Sequence, residues 1–293
     1  MSGARDGRSA LRTAFVDGRE AIMARHPAQF RPDWRARAGR VALAAAVLGL
    51  FGFGVVQLGF TPAMLAKGAG RLAFITGLML PPNPETWSRT VLYLHALGQT
   101  LGIALLGTLG AAVLAFPMGF LAARNVVASR ALQLLTRRMF DTVRGVDTLI
   151  WALIWINVVG LGPFAGVMAI MTSDFASLGK LFSEAIEAVD RRAVDGVLAA
   201  GGSRPQAVRF GIIPQVLPVM ASQLLYFFES NTRAPTIIGI VGAGGIGLYL
   251  SEMIRTLEWQ QVSFLVVMLL VTVSAIDWIS ARLRHAVIGA RPI

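Results

Sequence analysis

Residues 90–123 read TVLYLHALGQTLGIALLGTLGAAVLAFPMGFLAA, thirty-four positions without an aspartate, glutamate, lysine or arginine. A helix needs roughly 20 apolar residues to cross a bilayer, so this run is more than one crossing long. Inside lipid no water is available to bond a free amide, which makes a helix the spanning structure for such a run. Residues 41–60 repeat the pattern, with Gln57 as the one strongly polar side chain. Working outward from these two runs gives an all-α polytopic membrane protein of about six transmembrane helices: 41–60, 91–121, 145–161, 163–182, 215–238 and 261–281. Gly160-Leu161-Gly162-Pro163 leaves room only for a tight turn between the third and fourth. The segment 64–80 is apolar but carries Lys67 and Arg71 and ends at Pro81-Pro82, which predicts a helix lying at the membrane surface.

The chain is 55% hydrophobic and 15% charged, with a net charge of +11. That excess does not describe a nucleic-acid surface, because it is sorted by segment. Of the 27 lysines and arginines, 22 fall in residues 1–40, 122–144, 180–209 and the C-terminal tail. Five remain elsewhere: Lys67, Arg71, Arg89, Arg233 and Arg255. The positive-inside rule then places both termini and the 180–209 connection in the cytoplasm. Residues 1–40 read as a basic cytoplasmic tail, or as an amphipathic elbow on anionic lipid. The first apolar run follows as an uncleaved signal anchor. With no cysteine in the chain, disulfides, thiol nucleophiles and thiolate metal sites are excluded.

The polar connection 183–214 carries its own punctuation. Residues 183–200 read as one helix stopped by Gly201-Gly202, since glycine enters the left-handed region cheaply. Ser203 with Gln206 three residues on fits a capping box, and Pro205 suits a first turn. Pro214 lacks a donor and should kink or end a helix running through it. By itself this is a helical hairpin between spans. Its spacing, however, resembles the cytoplasmic coupling loop of ABC-importer permeases, whose pattern is Glu-Ala-Ala, three residues, Gly, nine residues, Ile, one residue, Leu-Pro. Asp195 stands at the Glu position, Gly201 at the Gly, Gly211 at the Ile, Ile213 at the Leu and Pro214 at the Pro. The spacing agrees while several residue types depart. The resemblance implies that Asp195, Gly196, Gly201, Gly202, Ser203, Arg204 and Pro214 engage an ATPase subunit, and that residues 41–293 form the permease domain.

Gly242-Ala243-Gly244-Gly245-Ile246-Gly247 satisfies the dinucleotide fingerprint in letters only. That site needs a βαβ unit and an acidic residue about 20 positions on; Glu258 comes too early and Asp277 too late. Gly242, Gly244, Gly245 and Gly247 instead read either as a flexible gate at the outer end of the fifth span or as a close-packed turn. Together with Pro214-Gln215-Val216-Leu217-Pro218, Phe228-Glu229 through Arg233, and Gly160 to Gly166, this segment resembles permease subunits of phosphonate ABC importers (PhnE type) over roughly residues 80–285. That resemblance implies a second permease subunit, as a homodimer, two ATPase subunits beneath, and a periplasmic phosphonate-binding protein. It places ATP and Mg on the ATPase subunits and no cofactor in this chain, which has no Gly-x-x-x-x-Gly-Lys-Ser/Thr loop.

Ionisable residues within spans are costly and therefore candidates for function. Glu229 and Arg233, four apart, are expected to share one helix face. They form a self-neutralising structural pair, or Arg233 offers its forked donors to phosphonate oxygens. Asn231 between them and Ser173-Asp174 in the fourth span complete the expected substrate pathway. Asp174 either meets a cationic part of the cargo or is kept neutral by its apolar surroundings. Gly98, Gly102, Gly107 and Gly110 supply small positions for helix packing. The rival cargoes are phosphite, phosphate or a distant substrate such as methionine. A membrane-embedded enzyme is disfavoured because His26, His95 and His285 do not fall near one another in any of these spans, and no metal-ligand spacing occurs.

Overall fold

The structure, a computed structural model, describes Gly18 and residues 34–288. Most of the tail assigned to residues 1–40 lies outside the described residues. Its last part does not: helix α1, Trp34–Gln57, takes in residues 34–40, because alanine and arginine extend a helix as readily as the apolar run they precede. Helix α2 spans Pro62–Leu78 and buries none of its residues. Outward-facing leucines and phenylalanines along both helices suit a lipid solvent better than water.

The second unit, residues 74–293, contains the remaining helices. These are α3 (Trp87–Ala122), α4 (Arg130–Arg144), α5 (Thr148–Val159) and α6 (Pro163–Glu187), followed by α7 (Arg191–Ala199) and α8 (Arg204–Ala207). A π-helical turn, Val208–Ile212, leads into α9 (Ile213–Asn231), α10 (Ala234–Ile240), α11 (Ile246–Arg255) and α12 (Trp259–Ile288).

Helix α6 is the centre, packed by α3, α4, α5 and α9. Small residues set its distance from α3. A β-carbon at Gly107 would stand 2.7 Å from Ile170, and one at Gly119 would stand 2.9 Å from Phe182. Close approach of this kind is the main source of helix association where both solvent and side chains are hydrocarbon. Gly98 and Gly102, by contrast, have nothing within 4 Å, so the small positions of α3 divide into a packed half and an open one.

Among the described residues, four helical runs are long and apolar enough to cross a membrane, or five if α4 and α5 count as one broken span. The predicted fourth span, α6, is 25 residues long yet is not one of them. It carries Asp174, Lys180 and Glu184, which a helix enclosed by protein tolerates better than one facing lipid. The predicted connection 122–144 also contains a helix, α4, which seats Phe140 in the notch at Gly179. Gly145 closes α4, Asp147 caps α5 by accepting the Leu149 N–H at 2.8 Å, and the two helices bend by 88° between these caps.

At the opposite end of α3, a polar clasp ties that helix and the bend before it to α12. Tyr93 Oη and Arg89 Nη1 both donate to Gln261 Oε1, at 2.6 and 2.5 Å. Gln261 Nε2 donates to Glu85 Oε2 at 3.0 Å. A buried glutamine amide satisfied on both sides fixes the start of α12 against α3 without leaving an orphaned group.

Candidate functional site

The 183–214 segment is a hairpin, but not the single helix expected before Gly201. Helix α6 stops at Glu187, and α7 begins after Asp190, whose side chain accepts the Arg192 N–H at 3.0 Å. Asp190 is a strong N-cap residue, and its demand for extended backbone breaks the run. Gly201 then turns the chain at φ +83° with its N–H on the Leu198 carbonyl at 3.0 Å. Gln206 closes back on the Ser203 N–H at 2.7 Å, as the spacing predicts.

Pro214 does not end the following helix. The π turn ahead of it spreads the ladder, with the Ile213 N–H reaching the Val208 carbonyl, so α9 starts with proline in its first turn where no donor is required. Gly211, standing where the resembled pattern has Ile, lies under α7. A β-carbon there would come within 3.0 Å of Val194 Cα. Gln215 fastens both ends of the hairpin, taking the Asp190 N–H at 3.0 Å and donating to the Gly211 carbonyl at 2.6 Å. Sequence reasoning missed Asp190 and Gln215; the Asx capping signal was visible, but the long-range partner was not.

On this scaffold Asp195, Gly196, Gly201, Ser203, Arg204 and Pro214 are exposed, while Gly202 is half-buried against Val197. Two apolar side chains join them at the surface: Leu198 and Phe210, the latter 61% exposed with Arg209 stacked over its ring. A groove between α7 and the π turn is lined by Gly196, Val197, Ala200 and Phe210.

The expected Glu229–Arg233 pair does not form. Helix α9 ends at Asn231, and Arg233 precedes α10, so the four-residue spacing no longer places both on one face. Each finds a partner on α12 instead: Arg233 bonds Asp277 at 2.7 Å, and Arg284 bonds Glu229 at 2.8 Å. Asp174 is buried and accepts from Asn231 Nδ2, which also donates to Thr108 Oγ1 at 2.8 Å. This triad joins α3, α6 and α9 at the residue where α9 ends. Ser173 Oγ accepts from Thr148 on α5 at 2.9 Å. The acidic residue without a nearby base is thus answered by an amide donor, which no local sequence pattern announces.

The glycine segment is packed on three sides. Gly242, Gly244 and Gly245 have φ values of +101°, +80° and +76°. Leu161, Pro163 and Thr100 respectively occupy the space their side chains would need. Thr100 Oγ1 accepts the Ile246 N–H at 2.8 Å, and the Gly162 N–H reaches the Gly242 carbonyl at 3.0 Å. Gly247 lies against the Thr236 carbonyl in α10. Among the described residues no cluster of three or more histidine or carboxylate groups could hold a metal ion.

An all-helical, multi-span bundle with a capped polar hairpin between its central helices is the architecture of an ABC-importer permease. The chain belongs to the binding-protein-dependent transport system inner membrane component family, whose description matches residues 115–288. It is therefore a multi-pass inner-membrane transport permease. It is 33% identical over 258 residues to a phosphite transport system permease protein of Stutzerimonas stutzeri, covering 87% of this chain and 91% of that one. A phosphate-import permease protein of Mycolicibacterium smegmatis is 34% identical over 253 residues, 85% of this chain and 47% of the relative. In structure the chain is similar to an inward-facing methionine ABC transporter, with a TM-score of 0.59 at 17% identity, covering 69% of this chain and 99% of that chain. At that identity the likeness speaks for the fold alone.

Proposed function

We propose that this permease imports a phosphorus oxyanion, phosphonate in particular, using ATP hydrolysed with Mg on two partner ATPase subunits. A second copy of the chain completes the membrane pathway, and a periplasmic binding protein delivers the cargo. The observation that carries the coupling half of this reading is the hairpin: a rigidly braced element that leaves Leu198 and Phe210 exposed beside Asp195. Exposed apolar side chains grouped on a braced polar element and rimmed by polar residues suit a surface made for a partner. The cargo half is supported by relatives named for phosphite and phosphate, and by the resemblance of residues 145–250 to phosphonate permeases. Phosphite and phosphate remain the second reading because those relatives carry their names.

The test is reconstitution of the permease with its ATPase and binding protein in liposomes. ATP-dependent uptake of methylphosphonate, phosphite and phosphate is measured against methionine. Uptake of a phosphorus oxyanion, and not of methionine, is the expected result; uptake of methionine alone refutes the cargo assignment. Topology is checked in the same cysteine-free background. A single cysteine at position 203 should resist an impermeant thiol reagent in intact cells, and labelling from outside would reverse the assigned orientation.

A further inference from the structure

Helices α4, α6 and α9 border a half-open recess of about 250 Å³ on the hairpin side of Asp174. Its lining includes Arg144, Ser177, Lys180, Glu184, Tyr226 and Phe227. Lys180 lies six residues beyond Asp174, roughly 9 Å farther along α6 toward the hairpin at about 1.5 Å per residue. The neighbouring groove between α3, α6 and α9 is lined by hydrocarbon alone: leucines, alanines, Val113, Met220 and two phenylalanines. Polar chemistry is thus concentrated in one recess of this face and excluded from the next.

The charges in that recess are arranged unevenly. Lys180 is held by Asp141 at 2.8 Å, and Asp141 is shared with Arg138 at 3.7 Å. Arg137, one turn earlier on α4, is committed to Glu187 at 2.7 Å and to the Ala122 carbonyl at 3.0 Å. Arg144 lines the recess with no carboxylate within salt-bridge distance among the described residues. A guanidinium left with open forked donors, a lysine on a shared carboxylate, and the hydroxyls of Ser177 and Tyr226 make up the donor set that tetrahedral oxyanions take. The recess is slightly smaller than the 300–1,000 Å³ of drug-sized sites, which suits a small ion keeping part of its hydration.

Resting on the reading of this chain as an oxyanion importer, we propose that the α4–α6–α9 recess is a transit site for the phosphorus oxyanion. Arg144 and Lys180 are its charge partners, and Ser177 and Tyr226 its hydroxyl contacts. The arriving anion competes with Asp141 for Lys180, while Glu184 in the same lining keeps the hold weak. A transport site must bind well enough to be entered and weakly enough to be left. This separates the site from the Arg233–Asp277 pair, whose guanidinium is already engaged.

The absence of native cysteine allows a direct test in the reconstituted complex. Leu181→Cys places one thiol in the recess lining without removing a proposed contact, and its rate of modification by a charged methanethiosulfonate reagent is followed. Methylphosphonate or phosphite should slow the reaction at least about threefold, and chloride at equal ionic strength should not. Protection should vanish with Arg144→Gln and survive in part with Arg144→Lys. Lys180→Gln should lower uptake about tenfold, the scale of one lost hydrogen bond to a charged group. If Leu181→Cys impairs assembly, Phe227→Cys on the same lining serves as the reporter. Equal modification rates with and without oxyanion, in a complex that transports it, remove the recess from the pathway and leave the importer reading intact. A complex that transports no phosphorus oxyanion overturns both.

Discussion

Two glycine-rich turns, Gly201-Gly202 and Gly242 to Gly247, use the same residue for different physical ends. Gly201 sits at φ +83° with no atom within 4 Å of the place a side chain would occupy. Its glycine answers to backbone conformation alone, and the turn it makes is exposed. Gly242, Gly244 and Gly245 also have positive φ, but each is met by a side chain: Leu161 in the turn after α5, Pro163 at the start of α6 and Thr100 on α3, respectively. Gly247 is not in a positive-φ conformation; there the missing β-carbon makes room for the Thr236 carbonyl, 2.2 Å from where that carbon would be. Glycine density in a sequence therefore does not separate an open turn from a packed one; the neighbours do. A gate at 242–247 would have to carry the Gly160–Pro163 turn with it.

The largest expected effect comes from filling the packed turn. Gly247→Val drives a β-carbon into the backbone of α10, which cannot move aside as a side chain can. Overpacking commonly costs about 1–3 kcal/mol and more where the neighbour is rigid. The variant should yield little monodisperse protein in detergent, and near-normal yield and thermal stability would show that α10 and α11 separate freely.

The intermediate effect belongs to the open turn. Gly201→Val meets no atom, so its cost is conformational, about 1–2 kcal/mol for a left-handed backbone and somewhat more with β-branching. Expression should persist while uptake and cargo-stimulated ATP hydrolysis fall together. Full coupling in this variant, at unchanged expression, would reduce Gly201 to a local turn former.

The smallest effect on the fold is expected from Phe210→Ala. The ring is 61% exposed, and surface changes of this kind usually stay within about 0.5 kcal/mol. Thermal stability of the isolated permease should be unchanged, and co-purification of the ATPase should drop. Unaltered ATPase recovery would remove Phe210 from the docking surface and narrow it to the polar residues of α7.

The hairpin was legible in outline because its signals are local: Gly201 and Ser203 with Gln206 act over three or four residues. Its bracing was not, because Gln215 reaches Asp190 across 25 positions. The charges tell the same story more sharply. Glu229 and Arg233 stand at pairing distance for a continuous helix, and only the end of α9 at Asn231 sends them to different carboxylate and guanidinium partners on α12. Asp174 stood out in the sequence as a costly residue, but its amide partner lies 57 positions away.

By itself the sequence determined the solvent of this protein, its helical backbone and the sorting of its charges. Each follows from transfer free energies and backbone hydrogen bonding summed over a single run of residues. Tertiary structure alone decided which glycines are packed, which cations are spent on carboxylates, and that Arg144 in the α4–α6–α9 recess has no carboxylate partner among the described residues. Those outcomes depend on how helices distant in the chain meet, and the energy of a buried or half-buried charge is set by the partner it finds there.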